Sequence, residues 1–114
     1  MFPAVRYKVE EKKKEKGPSA SADDRAEWTI LPGVARQYML RFRYKNTTGM
    51  PQVGRLKIVD ANGIVMLDRD MTFPETPNKY KTIGTTTDSQ INAGTYRVTV
   101  SGVKDVSFEY LEVQ

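Results

Sequence analysis

Cysteine and histidine are both absent from the 114 residues. Without cysteine there is no disulfide, no thiolate metal ligand and no thiol nucleophile. Without histidine the commonest general base near neutral pH and the commonest zinc ligand are missing. Neither a Ser-His-Asp nor a Cys-His arrangement can then be assembled. Gly-x-Gly-x-x-Gly, a phosphate-cradling loop and a nucleophile elbow are absent as well. No apolar run approaches the roughly 20 residues of a membrane-spanning helix, and no membrane partner is expected. Fourteen carboxylates are present, and a glycosidase needs only two, facing each other across ~5–9 Å. Here Asp60, Asp68, Asp70, Asp88 and Asp105 fall on turns and outward strand positions and read as solvated charge. These exclusions point away from an enzyme.

Hydrophobic residues make up 39% of the chain. A chain of this length buries roughly two-thirds of its unfolded surface, enough for a core without staples. One domain spanning residues 1–114 is expected. The formal charge of +4 is unevenly placed. Between residues 6 and 16, Arg6, Lys8, Lys12, Lys13, Lys14 and Lys16 stand against Glu10, Glu11 and Glu15. Nucleic-acid binding calls for a basic face interleaved with aromatics. A lysine run mixed with glutamates in one loop is not such a face, and no nucleic acid is expected as a partner. Arg41, Arg43 and Lys45 project from one side of one strand and read as the watered side of a sheet. Met1-Phe2-Pro3 does not open a signal peptide, so an exported form would take its signal from elsewhere in a longer protein or have had it removed.

Hydrophobic periodicity points to strands throughout. Val5, Tyr7 and Val9 alternate with charged residues, the two-residue period of a half-buried strand. A polar loop over 11–25 follows, broken by Gly17-Pro18, with a short helical turn near Ala22-Asp23-Asp24-Arg25. Glu27 to Leu31 reads as a strand ended by Pro32-Gly33. Tyr38, Leu40, Phe42 and Tyr44 alternate with Met39, Arg41, Arg43 and Lys45, with aromatics inward and cations outward. Val53–Asp60 and Ile64–Asp68 flank Asn62-Gly63, a strong hairpin signal. Met71–Phe73, Tyr80–Thr87, Tyr96–Val100 and Val106–Val113 complete the set, with turns every 8–12 residues or so. Eight or nine short strands without a helix imply an all-β, antiparallel β-sandwich. The expected core is Tyr7, Trp28, Tyr38, Leu40, Phe42, Leu56, Ile58, Tyr96, Val98 and Phe108.

A saccharide binder is the functional class these residues can build. A sugar ring offers a C–H face and a rim of hydroxyls, met by an exposed aromatic and a few polar groups in a concavity. Tyr80, beside Asn78 and Lys79 and just after the loop Pro74-Glu75-Thr76-Pro77, fits that description. Trp28 beside Glu27 is a second candidate, with a core position as its alternative. Calcium needs several oxygen ligands, and Glu10, Glu109 and Asp105 lie near the two terminal strands. Asn46-Thr47-Thr48 matches the N-glycosylation acceptor pattern, a short pattern that carries little weight.

Longer stretches resemble carbohydrate-binding modules of families six and thirty-five. Tyr7-Lys8-Val9-Glu10 is similar to the Tyr-Glu-Ala-Glu start of those modules. Glu27-Trp28-Thr29-Ile30 and Arg36-Gln37-Tyr38-Met39-Leu40-Arg41-Phe42-Arg43-Tyr44 resemble the strands that follow. Tyr80-Lys81-Thr82-Ile83 resembles a Trp-x-Thr-Trp element, Ala93 to Val98 an Ala-Gly-x-x-x-Val hairpin, and Phe108 to Val113 the closing Ile-Asp-Tyr-Ile-Glu-Leu strand. The resemblance implies a galactose-binding-like jelly roll with a sugar site in the loops at one end. Tyr80 falls at the ligand-facing Trp, and Ile83 at a second, core Trp. Asp105 is the nearest polar substitute for a sugar-contacting Asn. Lys8 replaces the first Glu of the opening motif, often a calcium ligand, and Glu109 replaces the closing Asp. Glu10 and Glu109 are then the residues to consider for a structural calcium.

The implied function is a non-catalytic module of a larger bacterial polysaccharide-degrading enzyme. Its partners would be an oligo- or polysaccharide and the parent glycoside hydrolase domains, in an extracellular or periplasmic location. The alternative is a protein-contact sandwich that buttresses its parent without binding sugar. That alternative predicts buried Tyr80 and Trp28 and an exposed apolar face near Met50, Val59 and Val65.

Overall fold

The computed structural model describes residues 4–9 and 24–114. Among them are eight strands and no helix. The strands are β1 (Val5–Tyr7), β2 (Asp24–Ile30), β3 (Met39–Asn46), β4 (Gln52–Asp60), β5 (Val65–Phe73), β6 (Lys81–Thr86), β7 (Tyr96–Val103) and β8 (Val106–Val113). They form two four-stranded sheets, ordered β1-β8-β3-β6 and β2-β7-β4-β5. Every pairing is antiparallel. The expected β-sandwich is therefore the fold.

The period-two pattern places the core. Along β3, Leu40, Phe42, Tyr44 and Asn46 are buried and the residues between them are half-buried. Trp28, Phe42, Phe73 and Phe108 interlock edge to face, with ring centroids 5.3–6.2 Å apart. Such ring pairs contribute about 0.5–1.5 kcal/mol each beyond the area they bury. Leu56 and Ile58 of β4 and Val98 and Val100 of β7 close the other side. Of the expected core only Tyr7 departs. It is half-buried against the cluster, and its hydroxyl accepts a hydrogen bond from the Leu31 amide (3.2 Å).

Other elements differ from expectation. Asp24 and Arg25 are not helical and do not belong to the loop. They open β2, where Asp24 lies opposite Val103, because ladder pairing overrides a weak local preference. Ile64–Asp68 and Met71–Phe73 are not two strands but one nine-residue strand, β5, in register with β4 from Gln52 to Ile58, with a shift before the Val59–Val65 pair. The hairpin between them exists, but with different geometry. A type I′ turn needs positive φ at both central residues, and in this turn only Gly63 has it (φ 85°). The Asp60 carboxylate takes over, accepting hydrogen bonds from the amides of Asn62 (2.8 Å) and Ile64 (2.9 Å). Met50, Val59 and Val65 do not form one exposed apolar face: Val59 and Val65 are cross-strand partners beside the turn, Val59 half-buried and Val65 exposed, whereas Met50 is exposed at the other end of β4.

A β-bulge in the β3–β8 pairing has consequences for the surface. Arg43 lies opposite Tyr110, but Tyr44 lies opposite Phe108, so Glu109 is the extra residue. Glu109 and Tyr110 consequently both reach cations on the outer side of the sheet: Glu109 meets Arg43 (3.0 Å) and Tyr110 lies under Arg6 (4.5 Å).

Candidate functional site

Strands β3, β5 and β7 all finish at one end of the sandwich, so the connections 47–51, 74–80 and 104–105 gather there. This end holds Asn78, Lys79 and Tyr80 on one loop and Asp105 on the neighbouring turn. The β6 and β8 strands that these residues precede flank β3 on either side. Asn78 and Asp105 are exposed and have positive φ (43° and 54°), a conformation that Asn and Asp adopt more readily than most residues. Lys79 is exposed and Tyr80 half-buried. The Tyr80 ring lies 5.1 Å from Lys45 Nζ and 5.8 Å from Arg43 Cζ, within reach of cation–π attraction. These residues present one aromatic, three cations (Lys79, Lys45 and Arg43), an amide and a carboxylate.

Asn46 fastens these loops, a role the sequence reading missed. Its side chain is fully buried and fully used. The amide nitrogen donates to the carbonyls of Met50 (2.9 Å) and Phe73 (3.0 Å). The amide oxygen accepts from the Thr48 backbone (3.1 Å) and the Thr48 hydroxyl (2.7 Å). The backbones of Asn46 and Thr76 are joined as well: the Asn46 amide donates to Thr76 Oγ1 (2.9 Å), and the Thr76 amide donates to the Asn46 carbonyl (2.8 Å). Tyr44 adds its hydroxyl to the Pro74 carbonyl (2.8 Å), and burial pushes its phenol pKa up. A signal was available: Asn46 continues the inward series 38, 40, 42, 44, so a polar group at that parity needs partners. Its burial also leaves no access for glycosylation at Asn46-Thr47-Thr48.

Trp28 is a correction. It has no exposed surface and packs edge to face on Phe42 and Phe108, 5.3 Å from each. It sits at an inward position of β2, so it belongs to the core and cannot stack on a sugar. Of the calcium candidates, Glu10 lies outside the described residues. Glu109 is bound to Arg43 Nε (3.0 Å). Among the described residues no three His, Cys, Asp or Glu side chains gather around a metal position. Calcium takes six to eight oxygen ligands, and the described residues do not fit that shell.

The outward acids have structural partners. Asp68 and Asp70 both hold Arg55 (2.6 and 3.0 Å), and that guanidinium keeps the Asp68 carboxyl below its ordinary pKa. Asp88 holds Arg69 (2.5 Å), which also donates to the Thr85 hydroxyl and to the Thr86 carbonyl (2.9 Å). Arg69 thus ties edge strand β5 to edge strand β6 of the other sheet. At the opposite end of the sandwich, Tyr7, Leu31, Val34 and Tyr38 line an apolar pocket of about 240 Å³.

No protein-family model matches the sequence, and no curated protein matches it. Solved structures do. An isomalto-dextranase from Arthrobacter globiformis T6 complexed with panose is 20% identical with a TM-score of 0.69, over 90% of this chain and 18% of that one. This chain thus spans under a fifth of that enzyme's length. A family 35 carbohydrate-binding module from Cellvibrio japonicus Abf62 is 16% identical with a TM-score of 0.71, over 98% and 93% of the two chains. The C-terminal family 6 module of LamC, a marine laminarinase from Zobellia galactanivorans, is 13% identical with a TM-score of 0.65, over 98% and 99%. The chain has the β-sandwich fold of family 35 and family 6 carbohydrate-binding modules.

Proposed function

We propose that this chain is a non-catalytic carbohydrate-binding module, attached to a polysaccharide-degrading glycoside hydrolase of a bacterium and exported with it to the periplasm or beyond. The observation that carries this reading is the convergence of Tyr80, Asn78, Lys79 and Asp105 at one loop end of a sandwich with the fold of such modules. In this role Tyr80 provides the apolar platform. Asn78, Lys79 and Asp105 provide hydrogen bonds to the hydroxyl rim, and the Asn46 network holds the loop in place before ligand arrives. A preformed site of this kind spends little free energy on ordering.

The test is a glycan microarray followed by calorimetry, with and without calcium, on the chain and on Tyr80→Ala. The expected result is binding to an oligosaccharide that drops at least about tenfold, or roughly 1.4 kcal/mol, in a variant that melts like the parent. Binding unchanged in Tyr80→Ala would remove the platform. Failure to bind any glycan would favour the buttress reading, which has its own support in exposed Leu31 and Val34 beside the apolar pocket at the opposite end.

A further inference from the structure

The end of the sandwich opposite the proposed sugar site holds a concavity that the sugar reading does not use. Strand β1, the last residues of β8 and the connection 31–38 between β2 and β3 meet there around an apolar pocket of about 240 Å³. Hydrogen bonds fix its walls in the unliganded chain. The Tyr38 hydroxyl donates to the Val34 carbonyl (2.5 Å), and the Leu31 amide donates to the Tyr7 hydroxyl (3.2 Å). Backbone pairs join Arg36 to Ile91 (3.0 and 3.1 Å) and Met39 to Gln114 (2.8 and 2.9 Å). The rings of Tyr7 and Tyr38 line the pocket beside Leu31 and Val34. Two polar groups interrupt this apolar wall. Arg36 stacks its guanidinium over the Tyr38 ring at 4.5 Å, and a guanidinium is charged at every ordinary pH. The Tyr7 hydroxyl accepts from Leu31, but its own proton meets no acceptor among the described residues.

We infer that this pocket binds a small aromatic carboxylic acid, a single ring carrying a short acidic tail. Size, lining and charge select that occupant. A dry apolar cavity of about 150 Å³ takes up benzene, so the larger volume here has room for a ring with roughly three to five further heavy atoms. The tyrosine rings suit an aromatic body, because ring pairs gain beyond the area they bury. Arg36 attracts the carboxylate, and the Tyr7 proton offers it a charge-assisted hydrogen bond. A neutral sugar would give up water around its hydroxyl rim against leucine and valine side chains that return no hydrogen bond. A protein partner calls for roughly 800 Å² of surface, and the exposed large apolar side chains around this pocket are only Val5, Leu31 and Val34. The pocket shares no residue with the loop end that holds Tyr80, Asn78, Lys79 and Asp105, so it stands or falls independently of the sugar reading.

The test titrates phenylpropanoate, its neutral counterpart phenylpropanol and the ringless acid hexanoate into the whole chain, followed by amide NMR shifts and calorimetry. Phenylpropanoate should bind with a Kd below about 1 mM and shift the amides of Gly33, Val34 and Gln114 ahead of those of Asn78 and Asp105. Phenylpropanol and hexanoate should each bind at least about tenfold more weakly. Arg36→Gln should lower phenylpropanoate affinity at least about fivefold and leave phenylpropanol within about twofold, the retained alcohol binding showing that the pocket is still formed. Tyr7→Phe keeps the ring and loses only the hydroxyl. It should likewise weaken the acid and spare the alcohol, so the test stands even if Arg36→Gln folds poorly. Tyr80→Ala should change neither. Equal affinity for acid and alcohol, hexanoate binding as tightly as phenylpropanoate, shifts confined to other parts of the chain, or sedimentation showing two copies paired through Leu31 at this end would each overturn the inference.

Discussion

Asn46 shows how a single buried amide organises a surface. Asn46→Ala leaves the Met50 and Phe73 carbonyls without their donor, and a buried polar group left unpaired costs about 1–3 kcal/mol. We expect urea unfolding to report about 2–4 kcal/mol lost, with saccharide binding falling alongside. Asp68 makes a different kind of prediction. Its hydrogen bond from Arg55 is the largest cause of its lowered pKa, so its contribution to stability is present above the ordinary value of 3.8 and is lost as pH falls through the lower, folded value. Thermal melts of Asp68→Asn should show a shallower loss of stability than the parent on the acid side of pH 4 and little difference in shape at neutral pH. At this scale sequence reading divided unevenly. Tyr80 was legible because its polar loop neighbours are local. Trp28 was ambiguous because Glu27 beside it points outward while the indole itself points inward. Partners such as Asn46 with Phe73, or Arg69 with Asp88, lie 27 and 19 residues apart, and no local pattern announces them.

The strands were largely readable because alternation survives wherever one face is wet. In β3 the alternation runs without a break from Met39 to Asn46, and Phe42→Ala should cost about 3–5 kcal/mol in urea unfolding. Where alternation lapses the boundaries were lost. Asp68, Arg69 and Asp70 interrupt the apolar pattern of β5, so one strand read as two. Asp24 joins β2 because Val103 of β7 pairs with it, and Arg25 lies in the irregularity between that pair and Ala26–Val100. Gly54 marks an element constraint of another sort. A Cβ at this position would lie 2.9 Å from Val103 Cγ1 and 3.1 Å from the Ser101 carbonyl, since β4 and β7 approach closely there. Gly54→Ala should cost about 1–3 kcal/mol through overpacking, visible as a lowered denaturation midpoint with an unchanged slope.

Across the whole molecule, the surface features differ by end and by face. One end gathers the loops, the other holds the apolar pocket, and the outer side of one sheet carries the row of cations. Sandwich architecture was implied by strand count alone, but sheet order was not, because it depends on which distant strands pair. The pairing of β1 with β8 is one such result: only three residues of β1 take part, with Val5 opposite Val113 and Tyr7 opposite Leu111. Antiparallel neighbours held at Val5 and Val113 and drawn apart are loaded one hydrogen bond at a time, like a zipper, whereas strands pulled lengthwise resist in shear. In the proposed role, a module held on a polysaccharide while an attached enzyme advances would experience tension of that kind. Single-molecule pulling between these two positions should peel β1 away at low force and leave the two-sheet core, with Trp28 at its centre, to break in a second and stronger event.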